Sequence, residues 1–306
     1  MKHKHRYFKV APGVWGMKIL FVNIYMVTSN NHWVLIDTGL FGSEGRILRM
    51  AKDLFDGAPP AAILLTHAHF DHRGTLPALL KHWDVKVFAH RMELPYLTGK
   101  SAYPPPDPIV GGGLMSLFSF LYPKQPIDIS THVQPLPDDG SIPFLDEWKA
   151  VPVPGHAPGQ VAFFRVSDRL LIAADAFVTT RQESAIATLN ALPVLSGPPK
   201  YFTYDWDAAK ISVIRLKDLS PRKAATGHGP PMYGDPLQTG LEQLVENFDK
   251  QARPKHGRYA NEPALTDDSG VVSIPSGSML PLFGLLTGAI AIGLLVMLQT
   301  NNKILS

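Results

Sequence analysis

The heptapeptide THAHFDH at residues 66–72 constrains this chain more than any other stretch. A short aliphatic run, itself preceded by two prolines, leads into it and predicts a buried strand. Because side chains alternate along extended backbone, His67 and His69 project to the same side. Asp71 and His72 come after the chain turns and can point at a second position. Imidazole and carboxylate groups hold zinc, iron or manganese in proteins, so the motif predicts a metal site at a strand end.

Three distant residues extend this cluster of candidate ligands. His156, Asp175 and His228 each follow an apolar stretch and lie beside glycine or another small residue. Small neighbours let a loop approach a metal ion closely without steric conflict. A lone loop histidine is usually only solvated or hydrogen-bonded, but that interpretation does not explain a cluster with distant partners. Asp37 ends another apolar stretch, before Gly39, and is predicted to cap the next turn or to support a metal ligand.

Together these motifs resemble those of the metallo-β-lactamase superfamily. The pattern His-x-His-x-Asp-His at residues 67–72 is similar to the most specific motif of that family. The family's three later ligand positions are matched, in the same order, by His156, Asp175 and His228. Residues 35–39 look like its first motif, and the resemblance spans Val10 to Gln251. It implies an α/β fold, a four-layer αββα sandwich, with metal ions bound at one edge between two sheets.

The resemblance also implies how the ligands divide between two divalent metal ions. Zinc is the first expectation for the metal, with iron and manganese as alternatives. A hydroxide bridging two such ions would attack the substrate, with catalytic roles for Asp71, which would steer the hydroxide, and for Asp37, which would support a ligand. One ion would be held by His67, His69 and His156 and the other by Asp71, His72 and His228, with Asp175 bridging the two.

Composition narrows the class of substrate. The chain has no cysteine, and so lacks the Cys ligand of several true β-lactamases, which disfavours antibiotic hydrolysis. The net charge is +3 with scattered basic residues, so no nucleic-acid partner is expected. The favoured substrate is a small, amphiphilic ester, lactone or thioester, as in the lactonase-like and glyoxalase II-like branches. Phosphodiester hydrolysis and a mononuclear iron sulfur dioxygenase remain as alternatives.

Changes in composition along the chain predict its domain boundaries. Residues 1–251 are predicted to form the catalytic domain, beginning with an antiparallel hairpin and continuing with alternating strands and helices. Within it, residues 91–126 interrupt the regular pattern with proline and glycine runs and a short apolar stretch. This insertion predicts a lid over the metal site, with a core helix or a membrane-touching flap as alternatives. The polar, aperiodic residues 252–278 predict a linker.

Aromatic residues after Asp175 leave two interpretations open. Tyr201, Phe202 and Tyr204 predict either one wall of the substrate pocket or ordinary core packing. Tyr233 follows His228 closely and is a weaker candidate for polarising a substrate carbonyl.

The C-terminal apolar segment predicts a membrane anchor. Residues 279–298 carry no charge, and at about 1.5 Å per residue they would span about 30 Å of bilayer as a helix, followed by a tail at 299–306. A buried helix of the catalytic domain is the alternative. Gly284 and Gly288 have a spacing that permits helix pairing, hence a dimer. No signal peptide precedes the domain, which is therefore expected on the cytoplasmic side of its membrane.

Overall fold

The computed structural model describes residues 7–190 and 193–276 of the chain. The strands are β1 (Phe8–Ala11), β2 (Val14–Ile19), β3 (Val22–Ser29), β4 (His32–Ile36), β5 (Ala62–Leu64), β6 (Val87–Ala89), β7 (Val133–Pro135), β8 (Trp148–Pro152), β9 (Val161–Arg165), β10 (Leu170–Ile172), β11 (Lys223–Ala225), β12 (Met232–Tyr233), β13 (Leu265–Asp267) and β14 (Gly270–Ser273). The helices are α1 (Glu44–Phe55), α2 (Phe70–Arg73), α3 (Leu76–Leu79), α4 (Leu94–Leu97), α5 (Leu114–Leu117), α6 (Ala185–Asn190), α7 (Trp206–Asp218), α8 (Gly234–Glu246) and α9 (Phe248–Gln251).

The strands form two large sheets and one small hairpin. The first sheet has seven strands in the order β1 to β7, antiparallel from β1 to β4 and parallel from β4 to β7. The second has five strands in the order β12-β11-β10-β9-β8, in which only β10 and β11 run parallel. Parallel neighbours place the loops that follow them at the same edge of a sheet.

Alternating side chains divide the core into a layer between the sheets and layers beneath the helices. On β3, Tyr25 and Val27 pack with β9 residues such as Phe163, whereas Ile24 and Met26 pack on the opposite, helix-covered face. This arrangement is the αββα sandwich, so the predicted α/β fold class is confirmed. The residues with which α1 and α7 cover the outer faces are Ile47, Met50, Ala51, Trp206, Ala209, Val213 and Leu216.

The predicted linker differs from the structure in its described part, 252–276. This part carries the hairpin of β13 and β14 and packs against residues much earlier in the chain. The Tyr259 hydroxyl donates to the Pro105 carbonyl at 2.7 Å, and the Val271 N–H donates to Ser101 Oγ at 3.1 Å. Polar composition concealed this packing because the buried side chains of the stretch, such as Tyr259 and Ala264, follow no helical or strand periodicity.

No helix within residues 7–190 and 193–276 is long and apolar enough to cross a bilayer. The predicted membrane helix at 279–298 and the tail at 299–306 lie outside the described residues.

Candidate metal centre

Loops that follow two pairs of parallel strands converge at one edge of the sandwich. Asp37 follows β4 and His67 follows its parallel neighbour β5. Asp175 and His228 stand in the same relation to β10 and β11 of the other sheet. The parallel pairing therefore explains why residues far apart in the sequence meet at this edge.

All seven predicted ligands belong to groups whose donor atoms lie within 4.8 Å of one another. Each of the seven is at most 6% exposed. Two of the groups have the membership that the family resemblance implies for the two ions, and the third includes Asp175. The groups are His67, His69 and His156; His67, His72 and Asp175; and Asp71, His72 and His228.

The imidazole rings are oriented by hydrogen bonds to their outward nitrogen atoms. His228 Nδ1 donates to the Phe21 carbonyl at 2.7 Å, which leaves its Nε2 facing the centre. His69 is turned the other way: its Nε2 pairs with the Tyr204 hydroxyl at 3.3 Å, and its Nδ1 faces inward. Outer hydrogen bonds of this kind fix ring orientation and ligand tautomer in metal sites. The other outward pairs are His67 Nδ1 with Thr66 Oγ1 at 3.1 Å, His72 Nδ1 with Asp37 Oδ2 at 2.8 Å and His156 Nδ1 with Thr203 Oγ1 at 3.4 Å.

Asp175 occupies the middle of the cluster. Its Oδ2 lies 3.0 Å from His228 Nε2, 3.4 Å from His156 Nε2 and 3.5 Å from His72 Nε2. Burial alone would raise the pKa of this carboxyl, but His228 and His72 hold its pKa well below the usual value. The residue is therefore an anion, with one oxygen facing imidazoles of both groups that the resemblance assigns to the two ions.

Three histidines of the centre are held neutral by their surroundings. Burial lowers the pKa of His67 and His69 well below the ordinary value, and it lowers the pKa of His156 to about 3. Neutral imidazole is the form that coordinates a metal ion. These rings are thus ready to bind metal without first releasing a proton.

Buried donor atoms without hydrogen-bond partners show that the residues fit divalent metal ions. His67 Nε2, His72 Nε2 and Asp175 Oδ1 are all buried and have no such partner. Each unsatisfied polar group of this kind costs about 1–3 kcal/mol, which coordination to a cation would offset. The inward nitrogens of His69 and His156 also lie only 3.0 Å apart, as two ligands of one ion would. Nitrogen and oxygen donors without sulfur are compatible with zinc, iron or manganese.

Asp37 supports the centre from outside the groups of donor atoms. It is 2% exposed and adopts a left-handed φ of 59°. Its Oδ1 accepts the Thr66 N–H, while its Oδ2 accepts the Thr66 hydroxyl and His72 Nδ1, all at 2.8 Å. The carboxylate therefore links the end of β5 to one candidate ligand, and it is not a member of any donor group among the described residues.

Replacing Asp37 with alanine should weaken the binding of the ion nearest His72. The imidazole would lose the acceptor that fixes its tautomer, and metal affinity should fall by about 10–100-fold. Competition with a chromophoric chelator measures this loss. Asp107→Ala is the control because Asp107 is 3% exposed and its carboxylate accepts the N–H groups of Ile109 and Arg258 instead. Equal loss of affinity in both variants would contradict the supporting role.

Asn23 helps to position the loop that carries His228, a role that was not predicted from the sequence. Its Nδ2 donates to the carbonyls of Thr226 at 3.0 Å and Gly229 at 2.7 Å, and its N–H donates to the Gly227 carbonyl at 2.7 Å. These bonds fasten the loop that carries His228 to β3 of the other sheet. The available signal was a single amide side chain within an otherwise apolar part of β3.

Aromatic residues form one side of the centre. Phe202 stacks on His69 with ring centroids 4.6 Å apart, and Tyr103 lies 4.5 Å from the same ring. Tyr204 contacts His69 through its hydroxyl, so two of the three aromatics considered from sequence touch a candidate ligand. By contrast, Tyr233 is 44% exposed and donates to the Val10 carbonyl at 3.3 Å.

Comparison with known proteins identifies the family. The sequence profile of the Metallo-beta-lactamase superfamily matches residues 17–228, more than half of the chain. The chain is 44% identical to the "Probable metallo-hydrolase YflN" of Bacillus subtilis over 245 residues, which are 79% of this chain and 93% of the relative. The chain therefore belongs to the metallo-β-lactamase superfamily.

Solved structures share the same fold. A protein whose crystal structure is described as TTHA1623 in a di-iron-bound form has a TM-score of 0.51 and 27% identity, covering 76% of this chain and 98% of that one. A beta-lactamase domain protein from Burkholderia ambifaria has a TM-score of 0.55 at 21% identity, covering 79% of this chain and 76% of that one, and shows the fold alone.

Proposed function

We propose that the protein is a hydrolase that uses two divalent metal ions to cleave a carboxylic ester, lactone or thioester. The observation that carries the proposal is the set of seven buried donor residues in overlapping groups. A relative that is 44% identical is itself described as a probable metallo-hydrolase, which supports the reaction class. The modest net charge of +3, with basic residues scattered along the sequence, supports the choice of carbonyl substrates over phosphodiesters.

The chain's own residues would hold, orient and shield the reacting groups. Bound divalent ions lower the pKa of coordinated water and polarise the bond under attack. One ion would be held by His67, His69 and His156. The other ion would be held by Asp71, His72 and His228, and Asp175 would bind both ions. Asp71 is the candidate for orienting the attacking water, because its Oδ2 lies 3.5 Å from His228 Nε2, at the ligand face of that ring. Burial raises the pKa of the Asp71 carboxyl, so this group can also accept a proton more readily than an exposed aspartate.

Zinc is proposed as the metal, with iron as the main competitor. The donor set of imidazoles and carboxylates accepts either, and a structural neighbour was crystallised in a di-iron-bound form. Metal analysis of the purified full-length protein decides between them.

The experiment that tests the function measures metal content and turnover together. The substrate panel contains an acyl lactone, a glutathione thioester and a bis-aryl phosphodiester. About two equivalents of metal with turnover of the lactone or thioester would support the proposal. Turnover of the phosphodiester alone would contradict the substrate class, and one equivalent of iron with oxygen uptake on a persulfide would contradict the hydrolytic reaction.

We also propose that residues 111–122 form part of a lid beside the metal centre. Tyr122 packs on Phe70 of α2 with ring centroids 5.4 Å apart, and on Phe202 at 5.9 Å. The other end of the segment is tied down where the Met115 N–H donates to the Glu183 carbonyl at 3.2 Å. These contacts support a cover that begins near the loop before α6 and ends against the aromatic side of the centre.

The outward face of this lid supports an amphiphilic substrate. Leu114, Phe118 and Leu121 are 56%, 48% and 66% exposed. The neighbouring helix α6 adds Ile186 and Leu189, which are 73% and 60% exposed. Large exposed apolar residues that gather in one region mark binding sites more often than chance. An acyl chain that leaves the metal centre along this face would cover them.

Replacing Leu121 with serine should selectively slow turnover of long-chain substrates. Losing part of the contact with an acyl chain, worth about 1.4 kcal/mol, corresponds to a tenfold fall in kcat/KM. The measurement compares decanoyl and butyryl substrates, because the proposal expects only the longer acyl chain to contact the lid. Ile211→Ser on α7 is the control, since Ile211 is 58% exposed on an outer helix. Equal effects on both chain lengths would contradict the lid's part in substrate binding.

A membrane anchor at 279–298 is proposed on the apolar sequence of that segment. The catalytic domain would lie on the cytoplasmic side, and Gly284 with Gly288 would allow two anchors to pair as a dimer. Full-length protein should remain with the membrane fraction after a carbonate wash. Release of the protein by that wash would contradict the anchor. Digestion of the domain by protease added to intact cells would contradict the proposed orientation.

A further inference from the structure

Glu93 is a fully buried carboxylate outside the groups of metal-donor atoms. It is 0% exposed and ends a short 3-10 turn before α4. Its Oε2 accepts the Ala68 N–H at 2.8 Å, and its Oε1 accepts the Gly159 N–H at 2.7 Å. The Tyr103 hydroxyl donates to Oε2 as well. A buried carboxylate is costly unless it is hydrogen-bonded, so these three donors account for its position.

Both backbone partners of Glu93 belong to loops that carry candidate ligands. Ala68 stands between His67 and His69, and Gly159 comes shortly after His156. A Cβ atom on Gly159 would lie 2.9 Å from Glu93 Cγ, so the second loop is in close contact with the glutamate. One carboxylate therefore joins the two loops that supply the first group of metal donors.

The opposite side of Ala68 is held by a buried cation. Arg73, which is 5% exposed, donates from Nε to the Ala68 carbonyl at 2.6 Å. Both polar backbone groups of Ala68 are thus fixed by ionic side chains. Such a clamp restricts the rotation of the two peptide units that separate His67 from His69.

We propose that Glu93 is a positioning residue for the metal ion held by His67, His69 and His156. This role rests on the proposed two-ion function of the site. The other ion's ligands have different supports, because His72 bonds to Asp37 and His228 bonds to a backbone carbonyl. Loss of Glu93 should therefore loosen one ion and spare the other, a selectivity that general destabilisation would not produce.

The test is Glu93→Gln in the full-length, metal-loaded protein. Glutamine keeps only one acceptor oxygen and turns an amide N–H₂ toward a backbone N–H donor. Glu93 bonds to the backbone beside the ligands and not to the ligands themselves, so the dissociation constant of the first ion should rise by about 10-fold, the lower end of the losses caused by outer partners of ligands. The dissociation constant of the second ion should change by less than about threefold. Stepwise extraction with a chelator measures both constants, and NMR of the cadmium-substituted protein identifies which ion leaves first.

Two further variants keep the proposal falsifiable. Asp107→Asn is the matched control, since Asp107 is another buried carboxylate that accepts backbone N–H groups, and it should not alter the order of release. Tyr103→Phe removes the hydroxyl that donates to Glu93 and that also accepts the Ala68 N–H at 3.0 Å. It should loosen the same ion by a smaller factor, and it provides the test if Glu93→Gln does not fold. Equal loosening of both ions, or no more loosening than in the control, would overturn the role of Glu93. A wild-type protein that binds fewer than two ions would instead contradict the proposed function.

Discussion

Replacing Asp175 with asparagine should release both metal ions together and remove most of the activity. An amide cannot supply two anionic oxygens, and its N–H₂ would face the Nε2 atoms that lie 3.0 to 3.5 Å from Asp175 Oδ2. Metal affinity and turnover should each fall by more than about 100-fold, the upper end of losses caused by outer partners of ligands. Elemental analysis of the purified variant and turnover of the preferred substrate measure the two effects.

Asp168→Asn is the matched control for this variant. Asp168 is bound to Arg165 and Lys223 at the rim of the second sheet, and its side chain is 27% exposed. Exposed ion pairs contribute about 0–1 kcal/mol, so this change should leave metal content and turnover at wild-type levels. The proposed bridging role of Asp175 would be wrong if Asp175→Asn retained both ions, as the control Asp168→Asn is expected to do.

Replacing Gly227 with alanine should disrupt the centre although glycine has no donor side chain. A Cβ atom there would lie 1.9 Å from Asp175 Oδ1 and 2.9 Å from His72 Cε1. The backbone cannot easily retreat, because the Gly227 N–H donates to the Ala174 carbonyl and its own carbonyl accepts from Asn23. The Asp175 carboxylate would have to move instead, and a displacement of about 1 Å can cost a factor of 100 in turnover.

Overpacking at this position should also cost about 1–3 kcal/mol of folding stability. Gly45→Ala is the control, since Gly45 lies within α1 and the nearest atom to an added Cβ is an Arg49 nitrogen at 3.6 Å. Alanine is a better helix former than glycine, so this variant should be at least as stable as the wild type, with unchanged metal content. Thermal unfolding and metal analysis compare the pair. Wild-type metal content and turnover in Gly227→Ala would show that the loop tolerates the methyl group.

The candidate donor residues could be predicted because histidine and aspartate side chains occur there in recognisable local sequence patterns. His67, His69, Asp71 and His72 lie within a few residues, and the strand before them is recognisable from its aliphatic run. The structure brings these four together with the three distant residues proposed beside them. The alternation of strands and helices expected after the opening hairpin is likewise present, and the buried residues of its first helix, α1, face the first sheet.

Asp37 was proposed from the sequence as a support for a ligand, but the other supporting residues could not be predicted, since their partners are remote in sequence. Asn23 bonds to carbonyl groups more than 200 residues away, and Glu93 joins two loops from outside both. Gly227 looks like any loop glycine until the Asp175 carboxylate is placed against it. The hairpin within the predicted linker was hidden for the same reason, because its partner Ser101 lies 170 residues earlier.

The sequence by itself determined which side chains can bind metal, which stretches form the strands that carry them, and to which superfamily the chain is similar. Only the tertiary structure decided which nitrogen of each imidazole faces inward, that Asp175 lies between the two groups, and that Asp37 and Glu93 hold different loops. The physical reason is that donor chemistry belongs to single residues, whereas the orientation of a ligand depends on hydrogen bonds to groups that only folding brings near.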